Sequence, residues 1–354
     1  MVHVALLAVL LTTLAAAPAT PVMAASAACG DTLTTSVKLD ADLACVGSAL
    51  TVGADDIVID LAGHMISGTT DNGIDNLLEF DRITVKNGTI EGFTNGIIHG
   101  GGEGHVIRDM RIRNGVTSIR LRPNVRFSKI QKSFVSNNSG NVILVEGDDN
   151  VVTRVVVTNG DVGIAVLGNR NVVSKNTVTN TLDGIALQGV VSGTTVSGNA
   201  VAASGRKGIS FDVGGGTGNV LTKNRVSGSD DEGILIMGAD AGVVAGNTVT
   251  GNFVGLALVN SDRNLVAKNV ATANGDDGIS IAQDCVATVL TGNQSQQNGD
   301  AGVSTVSTSS IVSKNVAFAN ATNGIEAPDG AVDGGGNKGR DNALEDCSPA
   351  FACK

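Results

Sequence analysis

Cations gather in one short stretch of this 354-residue chain. Arg108, Arg111, Arg113, Arg120, Arg122, Arg126, Lys129 and Lys132 make up a third of its 24 Lys and Arg, against Asp109 alone. Forked guanidiniums suit bidentate contact with carboxylate or sulfate. Arg111, Arg113, Arg120 and Arg122 are therefore the candidate substrate-binding residues for an anionic polysaccharide, and His99 and His105, about one repeat earlier, are placed to join them. The plainer explanation is a solvated basic face that balances Glu146, Asp148 and Asp149.

The acids that do chemistry elsewhere are spread out here. Asp161, Asp183, Asp231, Glu232, Asp276, Asp277 and Asp300 each precede a glycine by one or two places. Carboxylates stacked on one edge repel unless a cation sits between them, so Asp231, Glu232, Asp276 and Asp277 form a candidate calcium site. Acids before glycine also simply cap turns. Catalytic candidates are few: Arg120 and Arg122 as cationic bases for an elimination, and Asp276 and Asp277 as paired carboxylates. Copper would want clustered His or Met, whereas His64, His99, His105 and three methionines are scattered after the N-terminal segment.

These residues must be held by something repetitive. Glycines recur at 163, 184, 208, 233, 255, 278, 302 and 324, and asparagines at 176, 199, 224, 247, 269, 293 and 315, in steps of 21 to 25 residues. Looser rungs extend the repeat to roughly residues 50–330. Each unit holds three short alternating runs, such as Asn171-Val-Val-Ser, Asn176-Thr-Val-Thr and Gly184-Ile-Ala-Leu. Three strands per turn close one coil, and coils stack with strands in parallel about 4.8 Å apart. The pattern predicts an all-β, right-handed parallel β-helix of eleven to twelve coils, with glycine at a sharp or positive-φ corner and asparagine at a left-handed one. Asparagine amides stacked from coil to coil are architectural.

Composition narrows the partners. The chain carries a net charge of −10, which disfavours nucleic acid, and only 2% aromatic residues, with no Trp or Tyr for stacking sugars or bases. Val4–Leu14 is apolar but too short to span a bilayer, and small residues follow Pro18 and Pro21, as in a secretory signal peptide over residues 1–27. No later stretch predicts a membrane span. In an oxidising compartment Cys29 and Cys45, and Cys347 and Cys353, form two short disulfide loops at the ends, leaving Cys285 as a buried small hydrophobe. The mature domain runs 28–354, with caps at 28–50 and 330–354.

The opening Cys29-Gly-Asp-Thr-Leu, Leu43-Ala-Cys45 and Ile59-Asp-Leu-Ala-Gly-His64, the coils Asn-x-Val…Gly-Ile-x-Leu and the ending Gly334-Gly-Gly-Asn337…Cys347…Cys353 resemble secreted right-handed parallel β-helix proteins of the pectin-lyase-like superfamily. The resemblance implies a secreted, periplasmic or cell-surface protein acting on polysaccharide as lyase, hydrolase or epimerase. The Gly-flanked His, the Arg-Ile-Lys run and the Asp-Pro-His-Asp motif of its enzymes are missing, which points away from catalysis. One periplasmic family with similar repeats has a copper role; the scattered ligands argue against it here. Two functions remain: an exported protein that binds, and in an active form processes, an anionic polysaccharide on its lateral face, or a non-catalytic surface scaffold. Mostly small residues at the outward place of Gly-Ile-x-Leu (Ala165, Ala186, Ser210, Leu235, Ala257, Ser280, Ser304) favour binding at neighbouring corners, or none.

Overall fold

The structure, a computed structural model, describes residues 26–347 and Cys353. The predicted signal peptide lies outside them except for its last two residues. Every regular element among the described residues is a strand, wound into a parallel solenoid of about 13 turns, slightly longer than the repeat count suggests. Three lateral faces result. Face 1 carries the Gly-Ile-x-Leu strands, from Asp31–Leu33 to Ile325–Glu326. Face 2 runs from Val37–Lys38 to Val332–Asp333, and face 3 from Leu43–Ala44 to Lys338–Arg340.

Register is strict because the side-chain period is two and only one set of residues is apolar. On face 2, Val152 stacks on Val173, Val196 and Leu221; on face 3, Val157 stacks on Val178, Val201 and Val226. Face 1 adds Ile164, Ile185, Ile209 and Ile234. All these are buried, each contributing about 1.5–3 kcal/mol of transfer free energy. The core is one continuous aliphatic column.

Two corner assignments need correction. The glycines before Ile do not have positive φ. They are small because the next coil's backbone lies against them: a Cβ on Gly184 would sit 2.3 Å from the carbonyl oxygen of Gly208, and one on Gly208 2.6 Å from that of Gly233. The asparagines of the repeat are not left-handed either. They turn inward at the corner between faces 2 and 3 as a buried ladder. Each Oδ1 accepts the backbone N–H of the preceding ladder residue, and each Nδ2 donates to the next Oδ1, as from Asn199 to Asn224 and from Asn224 to Asn247 (2.9–3.0 Å). The left-handed place is one residue earlier, at Lys175, Lys223, Lys268 and Lys314 (φ 55–58°). A second ladder, Asn252–Asn274–Asn298–Asn320–Asn342, lines the corner between faces 3 and 1.

The ends are pinned as expected. Cys29 is bonded to Cys45 and Cys347 to Cys353, with Cα atoms 5.4 and 5.8 Å apart. Cys285 is free and fully buried, and burial pushes its thiol up to about 11.

Candidate functional site

The basic segment does not form one surface. Its first strand, Val106–Arg113, crosses faces 2 and 3, whereas Thr117–Leu121 lies on face 1. Arg111 and Arg113 therefore point away from face 3, and Arg120 from face 1, around a corner from them. Three of the eight cations already have acids. Arg113 reaches Glu91 (2.8 and 3.0 Å), and Arg120 grips Glu146 with both forks (2.8 and 3.1 Å), which holds its guanidinium charged. Arg108 takes Asp109. Arg122 is exposed, with no ion pair among the described residues.

His99 and His105 do not join the arginines. Both face inward, 0 and 1% exposed, and stack with ring centroids 4.0 Å apart. His105 Nε2 donates to the Gly101 carbonyl (3.0 Å) and Nδ1 accepts the Ile83 N–H, while His99 Nδ1 accepts from Asn76. Burial holds both imidazoles below their ordinary range, His99 well below. Neutral imidazoles filling a core position replace the aliphatic residues found there in later coils, since His99 stands in register with Leu121.

Two of the cations that remain, Arg111 and Lys132, meet Arg154 of the next coil at a groove. It encloses about 660 Å³ at the corner between faces 2 and 3, with Gly63 and Gly88 beside Asp109, Arg111, Lys132, Phe134 and Arg154. The Arg111 guanidinium lies 5.0 Å over the Phe134 ring, an arrangement that fixes a cation without neutralising it. Arg111, Lys132 and Arg154 have no ion pair among the described residues. Lys132 and Arg154 are on successive coils, each at the left-handed corner position.

The acidic corner also sorts itself. Asp183 is bound by Arg206. Asp231 and Glu232 are separated from Asp276 and Asp277 by the Phe253–Val254 coil, because Glu232 pairs with Val254. The expected foursome is thus corrected to a different group: Asp276, Asp277 and Asp300, whose ligand oxygens lie within 4.8 Å of one another. Burial, and then the neighbouring Asp276 and Asp300 charges, push the Asp277 carboxyl up to about 6. Beside it on face 1 stands the half-buried Ser280, whose hydroxyl hydrogen-bonds Asp277, whereas on earlier coils Ala165, Ala186, Ser210 and Leu235 are all at most 4% exposed.

Sequence reasoning found Arg111 and the crowded cations, but not the left-handed cation column that Lys132 and Arg154 begin. Its signal was present: a Lys or Gly immediately precedes each ladder asparagine, as in Lys175-Asn176 and Gly198-Asn199.

Comparison with known proteins agrees with this architecture. Residues 183–333 match the right-handed beta helix region, and residues 74–253, just over half of the chain, match the family described as periplasmic copper-binding protein (NosD). No curated protein matches the chain significantly. Similar solved structures include the A-module of the Azotobacter vinelandii mannuronan C-5 epimerase AlgE4 (12% identity, 88% of this chain and 91% of that one, TM-score 0.51). A mannuronic acid specific polysaccharide family 6 lyase from human gut microbiota is similar at 12% identity, covering 81% and 77%, with TM-score 0.54. The tailspike of E. coli bacteriophage HK620 is similar at 11%, covering 83% and 71%, with TM-score 0.57. At these identities the likeness is one of fold. Among the described residues no helix is long and apolar enough to cross a membrane.

Proposed function

The chain belongs to the NosD family of periplasmic proteins, and from that premise we propose that it is an exported solenoid whose lateral groove holds an anionic polysaccharide. The observation that carries this reading is the set of unneutralised cations in the groove. Arg111, Lys132 and Arg154 face one open space, while Arg113, Arg120 and Arg206 are each matched to an acid. A planar guanidinium held over Phe134 is preorganised for a carboxylate. The fold relatives that act on mannuronan and mannuronic acid polymers support the choice of ligand class. Binding without cleavage fits the groove, where Asp109, the one carboxylate in it, is occupied by Arg108.

Copper does not fit the donors on hand. His64 pairs with Asp42, and His99 and His105 are buried and hydrogen-bonded to the core. The gathered group, Asp276–Asp277–Asp300, offers only hard oxygen. Those three carboxylates favour a second, subsidiary reading, a calcium site, in which the ion replaces the proton that Asp277 holds near pH 6.

The test is retention on immobilised alginate and polygalacturonate. The wild-type protein is expected to bind, and R111Q/R154Q to lose ~10-fold in affinity, as removal of two charge-assisted contacts implies, with an unchanged melting temperature. Wild-type protein that passes through both columns unretained leaves the scaffold function in its place.

A further inference from the structure

The groove is one end of a longer charged edge. Over the nine coils between Lys129 and Phe318, the strands of faces 2 and 3 and the corner joining them contain no Asp or Glu, in a chain with 34 acids. Their charges are all positive. The corner itself carries Lys132, Arg154, Lys175, Lys223, Lys268 and Lys314, all exposed and none with an ion pair among the described residues. Strand register places them in one file: Gln131, Thr153, Ser174, Ser197, Thr222, Ala245, Ala267, Thr291 and Ser313 stack directly, and each file position follows one of these.

Turn chemistry does not account for the lysines. Left-handed backbone favours Gly, Asn and Asp. The corner between faces 3 and 1 begins with that preference, with Asn114, Asn137, Asn159 and Asn180 left-handed on successive coils, and continues with Ala203, Gly228, Gly251, Ala273, Gln297 and Ala319, none of them charged. The file at the corner between faces 2 and 3 has neither Asn nor Asp from Lys132 onward; it alternates Lys with Gly. A Cβ on Gly198, Gly246 or Gly292 would stand 3.7–4.0 Å from the preceding lysine's Cγ, an ordinary contact, so these glycines answer the left-handed backbone (φ 64–65°) rather than crowding. From Lys175 onward lysine heads recur every second coil, about 9.6 Å apart, which is two strand spacings and close to the advance of one disaccharide in an extended chain. That separation is also about a Debye length in physiological salt, so the lysines tolerate one another without counter-charges. The file from Lys132 to Lys314 spans eight coil steps, roughly 38 Å at the strand spacing.

We infer that this edge is a track along which a linear anionic polysaccharide lies parallel to the solenoid axis, held closely at Lys132, Arg154 and Lys175 and then at every second coil by Lys223, Lys268 and Lys314. The inference rests on the polysaccharide reading above and extends it from the groove to the length of the molecule. Duplex DNA is a poor occupant: it bears a charge per ~1.7 Å of axis, far denser than the file can answer.

The test uses K223N/K268N/K314N, which removes three charges while placing a residue suited to left-handed backbone. Binding of alginate oligomers of graded length is measured by calorimetry at two salt concentrations, with R111Q/R154Q alongside. Wild-type affinity is expected to rise with chain length until the track is covered. The asparagine variant is expected to bind short oligomers as wild type does and long ones ~10-fold more weakly, with a shallower salt dependence; K223R/K268R/K314R is expected to bind like wild type. Equal long-chain affinity in the asparagine variant overturns the track and leaves the groove reading intact. No alginate binding by wild type overturns both. Tighter binding of DNA or of phosphatidylglycerol vesicles than of alginate, lost in the same variant, also overturns the track.

Discussion

Two corners of the same solenoid carry cations on the same left-handed backbone and use them oppositely. At the corner between faces 1 and 2, Arg82, Arg170 and Arg263 each reach acids on their own or the preceding coil: Asp55, Asp56 and Asp81; Asp148 and Asp149; Asp240 and Asp262. Arg170 spans Asp149 with both forks at 2.8 Å, and the pairing holds Asp149 below the usual carboxylate range. At the corner between faces 2 and 3 the acids are missing from Lys132 onward, and the cations there stand open. A positive side chain at a turn is thus a structural staple or a binding head according to one neighbour a coil away. Coil geometry is indifferent to the choice.

The comparison breaks most severely from beneath. Asn247 lies under the open corner, its amide donating to Leu221 O and Asn269 Oδ1 while its Oδ1 accepts from Asn224. Asn247→Leu leaves several buried donors and acceptors unpaired, at about 1–3 kcal/mol each. Chemical unfolding is expected to show a loss of about 3 kcal/mol or more, and a variant as stable as wild type would show that the ladder does not hold this edge.

Acid titration should separate the two ends of the molecule by a smaller amount. The His99–His105 pair has its pKa values lowered by burial. Their contribution is fully present above the ordinary histidine range and is lost as pH falls below it, toward the folded values. Asp277 is raised from 3.8 to about 6, so its contribution is present below pH 3.8 and lost as pH rises through 6. The gain is about 1 kcal/mol after allowing for partial solvent screening. Protection factors, with the intrinsic pH dependence of amide exchange divided out, are expected from pH 7 to 5 to fall near Asn76–His105 and to rise near Asp276–Ser304. Addition of calcium at pH 7 should protect the second region alone, and D277N should abolish both responses there.

The smallest effect belongs to the paired corner. Arg170→Gln removes a staple and leaves Asp148 and Asp149 facing water, so alginate binding should stay at the wild-type level. A loss as large as that of R111Q/R154Q would erase the distinction between the corners.

Much of this was legible in the residues. The steps of 21 to 25, with Ile and Val on alternate positions, specify parallel coils because only stacking buries a face that short strands cannot cover alone. The end cysteines lie in short loops, so their pairing was readable too. His99 and His105 were not: in sequence they sit near Arg108, but strand parity turns His99 inward, and His105, just before its strand, stacks on it and bonds to Gly101 and Ile83. Asp300 was read as one more corner acid, and the fold brought it to Asp276 and Asp277 by placing Ala301 one coil below Asp277, whose Oδ1 accepts the Ala301 N–H (3.1 Å).

By itself the sequence determined the solenoid, its period, its coil-to-coil column of asparagines and the scarcity of aromatic platforms, since these are properties of spacing and composition. Which cations are free was decided only by tertiary structure. Charge neutralisation acts over a few ångströms, and the acid that neutralises Arg120 or Arg170 lies 21 to 26 residues away along the chain yet one coil away in space. The lysines from 175 to 314 are ordinary in sequence; stacked in register, with no carboxylate on the strands that flank them in their own coils, they become a single edge of unanswered charge.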